Sequence, residues 1–98
     1  MSIDDRVAAD ARLMILRWLA NQVDGRASDV VLARVIDAYG VRRSRDWLRT
    51  QMRALAELEA VKVEMVDTVM IATLRKAGRD HVERRGVIEG VSRPADED

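Results

Sequence analysis

With 98 residues and 48% apolar side chains, the chain has material for one small core and short tails, which excludes two independently folded domains. Seventeen Lys and Arg offset seventeen Asp and Glu, so binding to nucleic acid by overall charge is excluded and any basic surface must come from segregation along the chain. Cysteine is absent and His81 is the one histidine, which excludes disulfides, thiolate nucleophiles and Cys-ligated zinc, and leaves no cluster for a metal.

The start of the chain, with Asp4, Asp5 and Arg6, is unlike a signal peptide, and no apolar run approaches the roughly 18 residues of a membrane span. A cytoplasmic protein without membrane, metal or cofactor is the expectation. His81 lies near Asp80 and Glu83, but the sequence offers it no nucleophile, and neither a carboxylate pair in a plausible cleft nor a phosphate loop is found, so an enzyme is not expected. All basic residues except Lys62 and Lys76 are arginine, a bias that codon composition explains in a chain rich in Ala, Val, Arg and Asp.

Ser2-Ile3-Asp4-Asp5 is a helix-start signal, since the serine hydroxyl can accept from an early free amide and the acids sit at the positive end of the dipole. The helix it opens is expected over 4–21. Ala8, Ala11, Ile15, Trp18 and Leu19 form its inner face, with Trp18 in the core, while Leu13, Met14, Leu16 and Ala20 extend the apolar surface well beyond it. A helix apolar nearly all round is wrapped by its own domain or shared with a second subunit, and a homodimer is the expectation here. Asp24-Gly25 ends this helix, and Ser28-Asp29 opens the next, with Val31, Leu32, Val35 and Ile36 inward and Gly40 closing it.

From Ser44 the apolar residues fall at Leu48, Met52 and Leu55, the spacing of a buried helical stripe. Arg42, Arg43, Arg45, Arg49 and Arg53 set five cations against one acid, Asp46, and the last three recur every fourth residue on an adjoining face. Two helices joined by a short glycine-containing turn, the second basic, form a helix-turn-helix pattern. Trp47 falls between the apolar and basic sides, as a packing residue at the rim.

The period then changes to two. In 61–74 a two-residue connection at Asp67-Thr68 pairs Val66 with Val69, Met65 with Met70, Val63 with Ala72 and Val61 with Leu74. That register puts Val61, Val63, Met65, Met70, Ala72 and Leu74 on the core face, and Lys62, Glu64, Val66, Val69, Ile71 and Thr73 on the other. A last helix is expected over 75–85, and 87–98, beyond Gly86, as an extended or disordered tail, leaving 1–86 as the domain. The expected fold is mainly α with a small antiparallel β-hairpin: a winged helix-turn-helix of three helices, a two-stranded wing and a C-terminal helix.

Segments 12–20 (RLMILRWLA), 44–58 (SRDWLRTQMRALAEL), 69–80 (VMIATLRKAGRD) and 90–94 (GVSRP) resemble the small winged-helix proteins of Mu-like phages and prophages, often labelled ArsR-like regulators. The resemblance spans nearly the whole chain and implies a winged-helix fold and DNA binding, with Ser44, Arg45, Asp46 and Arg49 at matching positions. It does not carry over metal sensing, because the cysteine pair of such sensors is missing. Where many winged helices place glycine between the recognition helix and the first wing strand, this chain has Glu59-Ala60. Either a non-glycine residue takes the left-handed turn or the helix runs longer.

The expected DNA-contacting set is Arg42, Arg43, Ser44, Arg45, Arg49, Thr50 and Arg53, supplemented by Gln51, in a phage-type transcriptional regulator that reads double-stranded DNA as a homodimer. The alternative is a winged-helix interaction module that binds a protein through the first helix or hairpin, with Leu13, Met14, Val66, Val69 and Ile71 as its interface. The hairpin tip, Val66 to Val69, has no basic residue and favours this alternative.

Overall fold

Serine begins each of the three longest helices in the computed structural model, which describes residues 2–95. The hydroxyls of Ser2, Ser28 and Ser44 accept the amides of Asp5 (3.0 Å), Val31 (3.2 Å) and Trp47 (3.0 Å). Each bond satisfies an amide that the first helical turn leaves without a partner. The helices are α1 (Ile3–Ala20), α2 (Asp29–Ala38), α3 (Arg45–Glu57) and α4 (Lys76–Val82), and the strands are β1 (Arg26–Ser28), β2 (Val61–Val66) and β3 (Val69–Leu74). The fold is α+β, with four helices and a three-stranded antiparallel sheet in the order β1-β3-β2 among the described residues.

The ends of α2, α3 and α4 share one device. The residue just past the cap turns left-handed, at Gly40 (φ 89°), Glu59 (φ 61°) and Arg84 (φ 64°). The next amide then reaches back to the helix: Val41 to the Ile36 carbonyl (2.9 Å), Ala60 to Leu55 (2.9 Å) and Arg85 to Asp80 (2.7 Å). Of the two expectations for Glu59-Ala60, the structure takes the first: a glutamate accepts the strained turn and α3 stops.

The hairpin register is as expected, from Val66↔Val69 to Val61↔Leu74. Two details differ. The sheet has a third strand, because Arg26, Ala27 and Ser28 pair with Thr73, Ala72 and Ile71, so the two-stranded wing is corrected to three strands with β3 in the middle. β1 is too short to show a period, which is why the sequence reads as a plain connection. Met65 was expected on the core face but is 51% exposed, because the hairpin runs past the end of the core before it turns.

Ile15, Leu16 and Leu19 of α1 pack with Leu32 and Ile36 of α2, Leu48, Met52 and Leu55 of α3, and Val61, Met70 and Ala72 of the sheet. Burying each large aliphatic stabilises by roughly 1.5–3 kcal/mol. Leu13, expected at a partner interface, joins this core at 8% exposure. Trp18, expected inside, is 37% exposed, because the surplus apolar surface of α1 leaves one flank uncovered.

The segment after Gly86 has no helix or strand in its described part, yet it is fastened rather than loose. Val91 enters the core at 6% exposure. The buried ring of His81 accepts the Ile88 amide at Nδ1 (3.0 Å), which leaves Nε2 carrying the proton it donates to the Ser92 carbonyl (2.8 Å). Ser92 bonds back to α1 through its amide to the Ala9 carbonyl (3.2 Å) and its hydroxyl to Asp10. The folded unit therefore continues past the expected boundary at 86 to at least Ser92, and 96–98 lie outside the described residues. The expected last helix shortens to Lys76–Val82. On it, Lys76 donates to Asp80 and, with Arg85 nearby, holds that carboxyl below its ordinary value of 3.8.

Gly78 lets α4 lie against the junction of α3 and β2, since a Cβ there would stand 2.4 Å from the Ala60 carbonyl oxygen and 2.8 Å from Leu74 Cδ1. Gly78→Ala is expected to lower the urea unfolding free energy by about 1–3 kcal/mol through this overlap. Glu59→Gly is expected to raise it by about 0.5–1 kcal/mol, since glycine adopts a positive φ without the Cβ penalty, with the same denaturation curves as the measure.

Candidate nucleic-acid interface

The surface built by the end of α2, the turn 40–44 and the first turns of α3 follows from how α3 is buried. Leu48, Met52 and Leu55 face the core at 1% exposure or less, which turns the remaining sides of α3 toward solvent or toward the hairpin. Which arginine takes which direction is decided by one residue of α2.

Asp29 is the first residue of α2 and is fully buried. Its Oδ2 accepts from Arg49 Nε at 2.6 Å and lies 4.0 Å from Arg45 Nε. Arg49 also donates through Nη2 to the Thr68 carbonyl oxygen (2.5 Å), in the turn between β2 and β3. With its side chain only 18% exposed, Arg49 is a brace between α2, α3 and the hairpin turn. It is thereby withdrawn from the set expected to meet DNA. Gln51 is withdrawn too: it is 4% exposed, accepts from Arg12 Nε (2.9 Å), and so joins α3 to α1, while Arg12 also donates to the Gly90 carbonyl (3.0 Å).

The other cations remain at the surface. Arg42 meets Asp37 at 3.3 Å with 85% of its side chain exposed, and Arg43 meets Asp4 at 3.5 Å while its guanidinium lies 5.1 Å from the Trp47 ring centroid. Exposed pairs of this kind contribute about 0–1 kcal/mol and yield readily to a stronger anion. Trp47 is half-buried and supports Arg43, the rim position expected of it. Arg45 keeps 51% exposure, and Arg53 is exposed with no ion pair among the described residues. Ser44 is occupied as the cap of α3, and the Thr50 hydroxyl donates to the Asp46 carbonyl (3.0 Å).

The expected partner residues do not form one patch. Leu13 is in the core, whereas Met14 is half-buried in a groove shared with Trp18, Tyr39, Val82 and Pro94. Val66 is 49% exposed at the hairpin tip, and Val69 and Ile71 are half-buried on the outer sheet face. Among the described residues, no group of three or more His, Asp or Glu could hold a metal ion, and no helix is long and apolar enough to cross a membrane.

The chain is 39% identical over 92 residues to the uncharacterized protein gp26 of Escherichia phage Mu, a match covering 94% of this chain and 95% of that protein. The chain belongs to the Mu gp26 family. No family model matches it, and no solved structure does. Membership of the gp26 family agrees with the Mu-like phage resemblance of the sequence; a helix-turn-helix or ArsR label is a further step.

Asp29 was legible only as a helix-opening acid, since nothing in a single sequence ties it to an arginine twenty positions on. Asp29→Asn leaves Arg49 without its counter-charge and is expected to cost about 2–3 kcal/mol, below the range for a fully buried pair because Arg49 keeps some solvent contact. Urea denaturation of Asp29→Leu, Arg49→Met and the double variant provides the check: the double is expected to lose less than the sum of the singles.

Proposed function

We propose that this member of the gp26 family is a winged helix-turn-helix protein that binds double-stranded DNA and regulates phage transcription in the cytoplasm, working as a homodimer. In this reading α2, the turn closed by Gly40 and α3 form the helix-turn-helix, and β2 and β3 form the wing. The observation that carries it is the division of α3: Leu48, Met52 and Leu55 are buried while Arg42, Arg43 and Arg45 stay accessible at or before its amino end and Arg53 in its second half. Guanidinium groups so placed can reach phosphates and guanine edges once α3 lies in a major groove. Arg45 and Arg53 are the strongest candidates for contact, with Arg42 and Arg43 on the flanking backbone. Arg49 orients the wing. No cofactor, metal or catalysis is part of this reading.

The alternative, an interaction module with a protein partner, is supported by the hairpin tip, where Met65 and Val66 are about half exposed and Asp67 is the single charge from Val66 to Val69. A tip of that kind is a poor phosphate probe.

Fluorescence anisotropy with random-sequence duplexes over a salt series separates the two readings. The expected outcome is binding at low salt that weakens steeply as salt rises, with Arg45→Ala and Arg53→Ala each reducing the slope of log affinity against log salt by about one. Arg49→Ala is expected to reduce stability instead. A folded protein with no duplex affinity at low salt would falsify the DNA reading and leave the interaction module.

A further inference from the structure

Burial of Leu32, Val35 and Ile36 leaves Arg34 and Asp37, neighbours one helical turn apart, together on the outer side of α2. The turn after α2 brings Arg42 and Arg43 back beside them, and these four side chains line an open cleft of about 690 Å³. Ala33 and Val41 form its floor, both half-buried against the core. Three guanidiniums therefore share the cleft with a single carboxylate. Asp37 meets Arg42 at 3.3 Å, with most of both side chains in solvent. Arg34 is exposed and has no ion pair or side-chain hydrogen bond among the described residues. Arg43 is steadied by the Trp47 ring below it and by Asp4 at 3.5 Å, itself an exposed acid.

We propose that this cleft is a phosphate site, filled by a phosphate of the duplex backbone when α3 lies in the groove. The proposal rests on the DNA reading above and adds to it Arg34, a residue of α2 that lies outside both the turn and α3. The two charged oxygens of a phosphodiester match the paired donors of a guanidinium, and three guanidiniums from two segments of the chain can hold one such group from different sides. The form of the cleft selects a polymer. With Arg42 exposed over 85% of its side chain, the site is a trough rather than an enclosure, so a strand can enter and leave it, whereas a free small molecule would be left largely uncovered. No aromatic ring lines it, and Ala33 and Val41 are too small to stack a base, so the contact is the same for every sequence. Asp37 opposes it, since a phosphate at Arg42 must displace that acid.

The test has two arms, one with DNA and one without. In the first, anisotropy is measured on several unrelated duplexes. Arg34→Ala, an exposed change within a helix, is expected to reduce the slope of log affinity against log salt by about one on all of them. Asp37→Asn is expected to tighten binding about two- to fivefold, because no exposed ion pair is then broken. In the second arm inorganic phosphate is titrated into the full chain and the arginine Nε–H resonances are followed. Those of Arg34, Arg42 and Arg43 are expected to shift together, and that of Arg53, which does not line the cleft, to stay in place. Duplex binding that neither variant alters overturns the proposal and leaves the DNA reading standing. Phosphate shifts of equal size at Arg53 overturn it as well, since they mark only a counterion cloud. Selective shifts in a chain without duplex affinity support the phosphate site but overturn duplex DNA as its source, and the DNA reading with it.

Discussion

A carboxylate without solvent is the constraint to which the rest of the surface answers. Asp29 is fully buried at the positive end of α2, and the dipole there lessens the cost of its charge without removing it. Arg49 offsets part of the remainder at Oδ2, leaving Oδ1 without a hydrogen-bond partner, and, because its guanidinium is planar with donors on several edges, bonds to the hairpin turn at the same time. One ion pair thus fixes the start of α2, the middle of α3 and the tip of the hairpin relative to each other. The apolar core alone would not do so, since leucine and methionine contacts tolerate sliding and rotation that a two-ended arginine does not.

The same contact explains how a chain of zero net charge can still carry a cationic surface. Five arginines lie in and before α3, and of the two near Asp29 only Arg49, which hydrogen-bonds it, turns inward, while Arg45 stays half exposed. The acids near Arg42 and Arg43, Asp37 and Asp4, are themselves exposed and hold them weakly. Segregation here is local: the amino end of α3 is basic, whereas the far end of the hairpin carries no charge but Asp67. Whatever meets the two surfaces must differ in chemistry between them.

Most of the scaffold could be read from the sequence because it rests on local rules. Three serines mark three helix starts, the period-two run in 61–74 sets the hairpin register, and the stripe of Leu48, Met52 and Leu55 gives the buried face of α3. What could not be read rests on long-range contact. β1 is strand only because β3 lies beside it. Trp18 is half outside because its neighbours run out, a matter of how α1 is covered rather than of its own period. Arg49 and Gln51 look like surface donors until Asp29 and Arg12, far away in sequence, claim them. The tail reads as extended or disordered because Val91, His81 and Ser92 anchor it singly, without a repeat to announce them.

The fastening of Ser92 to α1 also bears on how the chain folds. The Ser92 amide and hydroxyl bond to Ala9 and Asp10, the latter 82 positions earlier, so these contacts tie α1 to a segment that follows every other element in sequence. Both bonds are non-local, and they close only once the elements between them have brought the two segments together. Closure over so long a separation in sequence slows the search for the native state, because the entropy of the intervening loop is lost before the contact repays it.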